Sequence, residues 1–201
     1  MWMDGIMLFP LVIMGLDILM REENPKWYWY TLFLAMLIIN SYFIGYISCI
    51  FIFLYFFTYD FKNFKSFIRK FLTIGLSSLL AVGISAVILL PSFGGLQDTS
   101  ISSETLPAME FYGNYVDSFK NIMVVVHPVG IDFDSNRANL FMTTFVLLMG
   151  ITYFTTGSVK VGHKIRNGIL LAIMLFSLNF KPLNFIWHGM HEQTGIPNRF
   201  S

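Results

Sequence analysis

The polar side chains best suited to chemistry gather near the end of the sequence, in Trp187-His188-Gly189-Met190-His191-Glu192 followed by Gly195, Pro197 and Arg199. A guanidinium presents paired donors in one plane that match phosphate oxygens, and an imidazole beside it adds a donor or an acid. Arg199, His188 and His191 therefore read as ligands for an anionic headgroup held at the water boundary of a membrane. A metal reading uses His188, His191 and Glu192, because two histidines three apart can share one helix face. Gly189 and Pro197 work against such a helix. The order also differs from the zincin pattern, in which the histidines lie four apart and glutamate directly follows the first. The plainest reading is an amphipathic interfacial loop anchored by Trp187 and Phe200, with both histidines in water. No cofactor and no metal is indicated, although the histidines leave a divalent ion open.

Acids elsewhere are fewer and less specific. Asp4 heads an apolar run, where an ionisable group is costly and so a functional candidate; it also suits the N-cap of a helix beginning at Gly5. Asp17 stands four residues before Arg21, the spacing of a helical ion pair. Asp98, Glu104 and Glu110 read either as general bases or as solvated loop charges, and the sequence does not choose among them. Cys49 is the single cysteine, which excludes a disulfide within the chain.

These residues sit in a chain of 201 that is 55% hydrophobic, 17% aromatic and 12% charged, whereas an average soluble domain has about 25% charged residues. That composition excludes an ordinary water-soluble enzyme, and a net charge of +1 without a polybasic arm excludes a nucleic-acid surface. A signal peptide fits poorly, since no basic segment precedes the first apolar run and no small-residue cleavage site follows it. Five apolar blocks stand out: 5–20, 27–57, 71–90, 138–156, and one from Ile165 or Gly168 to Phe180. The second is long enough to reach about 46 Å as one helix, more than a bilayer core of about 30 Å needs, so a break is expected at Asn40-Ser41. The third carries no charge and is expected to stop at Pro91. In it Thr73, Ser77, Ala81 and Ser85 recur every four residues, a stripe that suits close approach of a neighbouring helix. The sequence thus predicts an all-α, polytopic transmembrane bundle of five or six segments: transmembrane helices over 1–90, an extracytoplasmic loop over 91–137, two transmembrane helices over 138–180, and an extracytoplasmic motif segment over 181–201.

Loop charge orients the spans. Lys62, Lys65, Arg69 and Lys70 against Asp60, and Lys160, Lys164 and Arg166 without an acid, place 58–70 and 157–167 in the cytoplasm. The acidic 91–137 segment and the tail after Phe180 then lie outside. If 27–57 is a hairpin, Arg21 to Lys26 is cytoplasmic and Asp4 external; if it is one helix, both invert. Trp27-Tyr28-Trp29-Tyr30 forms an aromatic belt at that surface.

Three stretches together resemble the YfhO family of bacterial multispanning membrane proteins. They are Asp4-Gly5-Ile6-Met7-Leu8-Phe9-Pro10-Leu11 with Gly15; Asn40-Ser41-Tyr42-Phe43-Ile44-Gly45-Tyr46 leading to Leu54-Tyr55; and Leu183-Asn184-Phe185-Ile186-Trp187-His188-Gly189-Met190-His191 ending in Pro197-Asn198-Arg199-Phe200-Ser201. Asn40-Ser41-Tyr42 departs from the family's usual Asn-Tyr-Tyr. The resemblance implies a glycosyltransferase-C-like architecture in the bacterial cell membrane. Its implied activity transfers a sugar from a polyprenyl-phosphate donor to a cell-envelope polymer, such as lipoteichoic acid, on the outer face. It adds Asp4, Asn40 and Tyr42 as a second candidate polar site beside Arg199, His188 and His191. It also implies an internal fragment, with the catalytic acid in an upstream external loop and no activity for the fragment alone. A lipid-linked sugar flippase and a non-catalytic assembly protein are the competing readings.

Overall fold

The computed structural model describes residues 2–21, 26–97, 106–113 and 144–190. Among these the chain forms eight helices and no strand: α1 (Trp2–Arg21), α2 (Trp27–Asn40), α3 (Tyr42–Phe56), α4 (Phe64–Ile84), α5 (Ala86–Gln97), α6 (Thr144–Thr155), α7 (Val161–Asn179) and α8 (Lys181–Trp187). They divide into two units, 1–103 and 104–201. The fold is the helical membrane bundle that the sequence predicts. The helices α4 and α7 are long and apolar enough to cross a membrane, and α2, α3 and α6 are shorter apolar helices. Phe145, Val146, Leu147, Leu148, Met149 and Ile151 of α6 are all exposed. Such a continuous apolar surface is untenable in water and ordinary against lipid.

In the first unit the chain breaks at Ser41, which adopts an extended conformation (φ −154°, ψ 106°), and its hydroxyl accepts the Ile44 N–H at 3.4 Å to cap α3. The contacts show that this break makes a hairpin. Gly15 of α1 lies against Tyr30 at the start of α2, so α1 and α2 run antiparallel. Phe9 meets Phe51 and Asp17 meets Tyr59, so α1 and α3 run parallel. Tyr30 pairs with Ser78 and Ala35 with Ser85, so α2 and α4 share a direction. The ends of α1 and α3 and the starts of α2 and α4 therefore lie at one end of the unit. There Phe56, almost fully buried, is ringed by Phe61, Phe67 and Phe71 at centroid separations of 4.9, 5.2 and 5.6 Å.

From Ser77 to Ser85 the small-residue stripe faces protein, as its spacing predicts, whereas Thr73 is only half-buried and its hydroxyl donates to the Arg69 carbonyl of its own helix at 2.8 Å. Ser77, Ala81 and Ser85 are buried, Thr31 donates to the Ser77 carbonyl at 3.4 Å, and the Tyr30 hydroxyl lies 2.8 Å from Ser78 Oγ. The helix ends differ from expectation. Asn63 Oδ1 accepts the Ser66 N–H at 2.8 Å and starts α4 at Phe64, seven residues before the apolar block. At the other end the break comes at Ser85, and α5 then runs through Pro91 to Gln97. Hydroxyl back-bonding is the physical reason: Ser85 Oγ points at the Ala81 carbonyl at 2.9 Å and the Ala35 carbonyl at 3.2 Å, a geometry that bends a helix. Once the helix restarts at Ala86, Pro91 removes only one hydrogen bond from its second turn.

In the second unit α6 and α7 form a hairpin around residues 156–160. The Lys164 ammonium donates to the Phe154 and Thr156 carbonyls at 2.8 and 2.6 Å, satisfying acceptors at the end of α6, and Asn167 Nδ2 donates to the Tyr153 hydroxyl. The helix α7 starts at Val161, earlier than its apolar core, because these polar partners support its first turns.

Candidate functional site

The best-built polar site is the elbow between α7 and α8. Phe180 is extended (φ −86°, ψ 109°) and separates the helices, and Pro182 stands in the first turn of α8, where its missing N–H is harmless. The bend exposes the last carbonyls of α7, and Asn184 answers them: its side-chain amide, 0% exposed, donates to the Leu178 carbonyl at 3.2 Å and the Ser177 carbonyl at 3.4 Å. One turn on, His188 is 2% exposed, and its Nδ1 donates to the Asn184 carbonyl oxygen at 2.9 Å. A carbonyl only accepts, so the proton is on Nδ1; Nε2 is an acceptor in the neutral ring and a donor in the imidazolium. The reading in which this histidine is solvated is thus corrected: α8 folds back and buries it together with Trp187, Asn179 and Ser177.

Backbone geometry at the end of α8 explains the Trp-His-Gly order. The Met190 N–H bonds the Phe185 carbonyl at 3.0 Å and the Gly189 N–H bonds the Ile186 carbonyl at 3.2 Å, the two bonds of a Schellman cap. Gly189 has φ 79°, and Met190 follows at φ 65°. Replacing Gly189 with alanine is expected to cost about 1 kcal/mol, since an L side chain strains the left-handed region. A thermal midpoint lowered by a few degrees, with helix content retained, is the result to measure.

A short segment of the long loop docks on the elbow. Phe111 forms an isolated antiparallel bridge with Phe180, through Tyr112 N–H to the Asn179 carbonyl (2.8 Å) and Lys181 N–H to the Glu110 carbonyl (3.0 Å). Its ring packs against Phe176 and Phe180 at 5.8 and 5.3 Å. Lys181 Nζ lies 2.7 Å from Glu110 Oε2 and 5.7 Å from the centre of the Tyr112 ring. The hydrogen bond and charge of Lys181 hold the Glu110 carboxyl below its ordinary range, which makes it a poorer general base than a free glutamate. A depressed folded value stabilises docking above the ordinary glutamate range, and the contribution disappears as pH falls through the folded value. Hydrogen exchange at the Tyr112 amide, corrected for its intrinsic pH dependence, is expected to accelerate only in that acid window, and Glu110→Gln is expected to remove the transition.

The other candidate residues are placed unevenly. Arg199, His191 and Glu192, with Asp98 and Glu104, lie outside the described residues. Asp4 is within α1, whose start at Trp2 replaces the N-cap expected at Asp4. Gly5 beside it packs against Ile44, so the start of α1 lies beside the start of α3. Asn40 ends α2 and Tyr42, exposed, begins α3; the hairpin thus gathers Asp4, Asn40 and Tyr42 at the end of the unit opposite the Phe56 cluster. The Asp17–Arg21 pair forms at 2.7 Å as its spacing predicts. Tyr59, which no local pattern marks, donates to the other Asp17 oxygen at 3.1 Å. Asn184 and Lys181 were equally unmarked, although an asparagine two residues after a proline in an apolar tail is a signal that could have found the elbow.

The fold and the elbow define a helical membrane protein. The chain belongs to the YfhO family of bacterial membrane proteins: the family model described as bacterial membrane protein YfhO matches residues 1–201. No curated protein and no solved structure matches the chain.

Proposed function

We propose that the chain is part of a multi-pass, glycosyltransferase-C-like enzyme of the bacterial cell membrane. It moves a sugar, with inversion, from a polyprenyl-phosphate donor to a cell-envelope polymer such as lipoteichoic acid on the outer face. The observation that carries this reading is the buried His188 of the elbow. It sits beyond the end of α7 opposite the basic stretch 157–167, which spans the turn before α7 and its first turns, with Nδ1 donating to Asn184, in the block whose continuation holds Arg199. In this scheme the basic loops lie in the cytoplasm and the elbow lies outside. His191 and Arg199 from the same block bind the donor phosphate and stabilise the charge that develops as it departs, and the buried His188, bonded to Asn184, positions the turn that leads to them. The acceptor hydroxyl is deprotonated by an acid that is not assigned to any residue of this chain. Asp4, Asn40 and Tyr42, gathered at the end assigned outside, supply a second polar surface for the donor or acceptor. No metal or cofactor enters the scheme.

The flippase reading requires a polar lining along the spans. Beyond Lys70 in α4 and Arg166 in α7, neither helix carries a charge, which favours the transferase. Deleting the gene is expected to abolish the sugar modification of the polymer while the lipid-linked sugar accumulates on the outer leaflet. Accumulation on the inner leaflet would instead support the flippase, and an unmodified phenotype would leave the assembly role.

A further inference from the structure

From the start of α4 we infer a second site, independent of the transferase reading: an interfacial binding surface for the headgroups of anionic phospholipids. Lys65 and Arg69 stand one helical turn apart, both exposed, with exposed Lys62 in the loop before them. The 21 residues of α4 contain no acid, and between Thr58 and Lys70 the single acid is Asp60. Lys70 is turned away from this surface, donating to the Leu19 carbonyl at 2.7 Å, so it serves the packing of α1 and not the ligand.

The apolar neighbours decide which anion the surface suits. Phe64 is 76% exposed between Lys62 and Lys65, and Ile68 and Leu72 continue its exposed face into the apolar length of α4. A soluble phosphate gains nothing from these groups. A phospholipid uses both parts: its phosphate meets the cations, and its glycerol and upper acyl chains meet Phe64, Ile68 and Leu72 where the helix leaves the hydrocarbon. The site begins at Phe64 and not at the apolar block because Asn63 caps the helix there, which fixes Lys65 and Arg69 in register on a rigid turn.

The test uses the intact protein in nanodiscs of mixed phosphatidylcholine and phosphatidylglycerol, with co-purifying lipid counted by mass spectrometry. Phosphatidylglycerol is expected to be enriched over its bulk fraction. Because each cation near an anionic surface contributes about fivefold, Lys65→Gln with Arg69→Gln is expected to lower that preference about 25-fold. Phe64→Ala is expected to weaken retention without changing its salt dependence. A monodisperse elution profile and an unshifted thermal midpoint establish that the variants fold; if the double variant does not fold, loss of the wild-type enrichment at high salt tests the same charges. No enrichment in the wild type, enrichment that survives the double variant or high salt, or displacement of the lipid by millimolar inorganic phosphate would overturn the proposal, the last by revealing a soluble-anion site.

Discussion

Replacing Gly15 with leucine is expected to separate α1 from α2 and to destabilise the first unit by about 3 kcal/mol or more, the upper end of the overpacking range. A Cβ at Gly15 would lie 2.8 Å from the Tyr30 Cα and 2.9 Å from its nitrogen. Both neighbours are backbone, which cannot rotate aside as a side chain can. The same contact lies in the core that Val12, Leu16 and Leu19 of α1 share with Leu34 and Leu37 of α2, all 0% exposed, and holds Tyr30, which bonds Ser78. Without a hydrophobic force between helices in lipid, such close packing supplies much of the association energy. Gly83→Leu is the control, because nothing lies within 4 Å of the Cβ it would add. Fluorescence-detected size exclusion and thermal midpoints should show G15L aggregated or strongly shifted and G83L unchanged; equal behaviour of the two would contradict the packing described for α1 and α2.

Arg199→Ala in the intact protein is expected to reduce sugar transfer about 100- to 1,000-fold, the effect of removing one preorganised donor from developing charge. Membrane insertion and thermal stability should be unchanged, since the role assigned to the guanidinium is toward the donor phosphate. Arg199→Lys is expected to recover part of the rate, because it keeps the charge and loses the planar fork. His188→Ala should behave differently. Its ring is buried and bonded to Asn184, so both stability and turnover are expected to fall. Transfer unaffected by Arg199→Ala would remove that residue from the site.

Patterns within a single helix were legible in the sequence. The break at Ser41, the Asp17–Arg21 pair and the buried face at Ser77, Ala81 and Ser85 each follow from spacing or from one polar interruption in an apolar run. Helix ends were less legible, because a local partner overrode composition. Asn63 extended α4 into a charged loop, and Ser85 rather than Pro91 set its other end. The candidate site was half legible. Gly189 was marked only as a helix breaker, and it does end α8, while His188 was marked by its chemistry; the burial of His188 depends on an elbow made by Phe180, Pro182 and Asn184. The docking of Glu110 on Lys181 joins residues 71 positions apart, and no local period encodes such a contact.

The hairpin also ties the orientation of the first unit to one testable quantity. It places Arg21, Lys26 and residues 58–70 at one end of that unit, and in the proposed orientation that end is cytoplasmic and the elbow segment after α7 is outside. Single cysteines introduced at Lys65 and at Gly195, in a chain whose native Cys49 is replaced by serine, read that arrangement directly. In intact cells a membrane-impermeant thiol reagent is expected to modify the cysteine at 195, and to reach the one at 65 only after permeabilisation. Labelling at 65 together with protection at 195 would contradict the account.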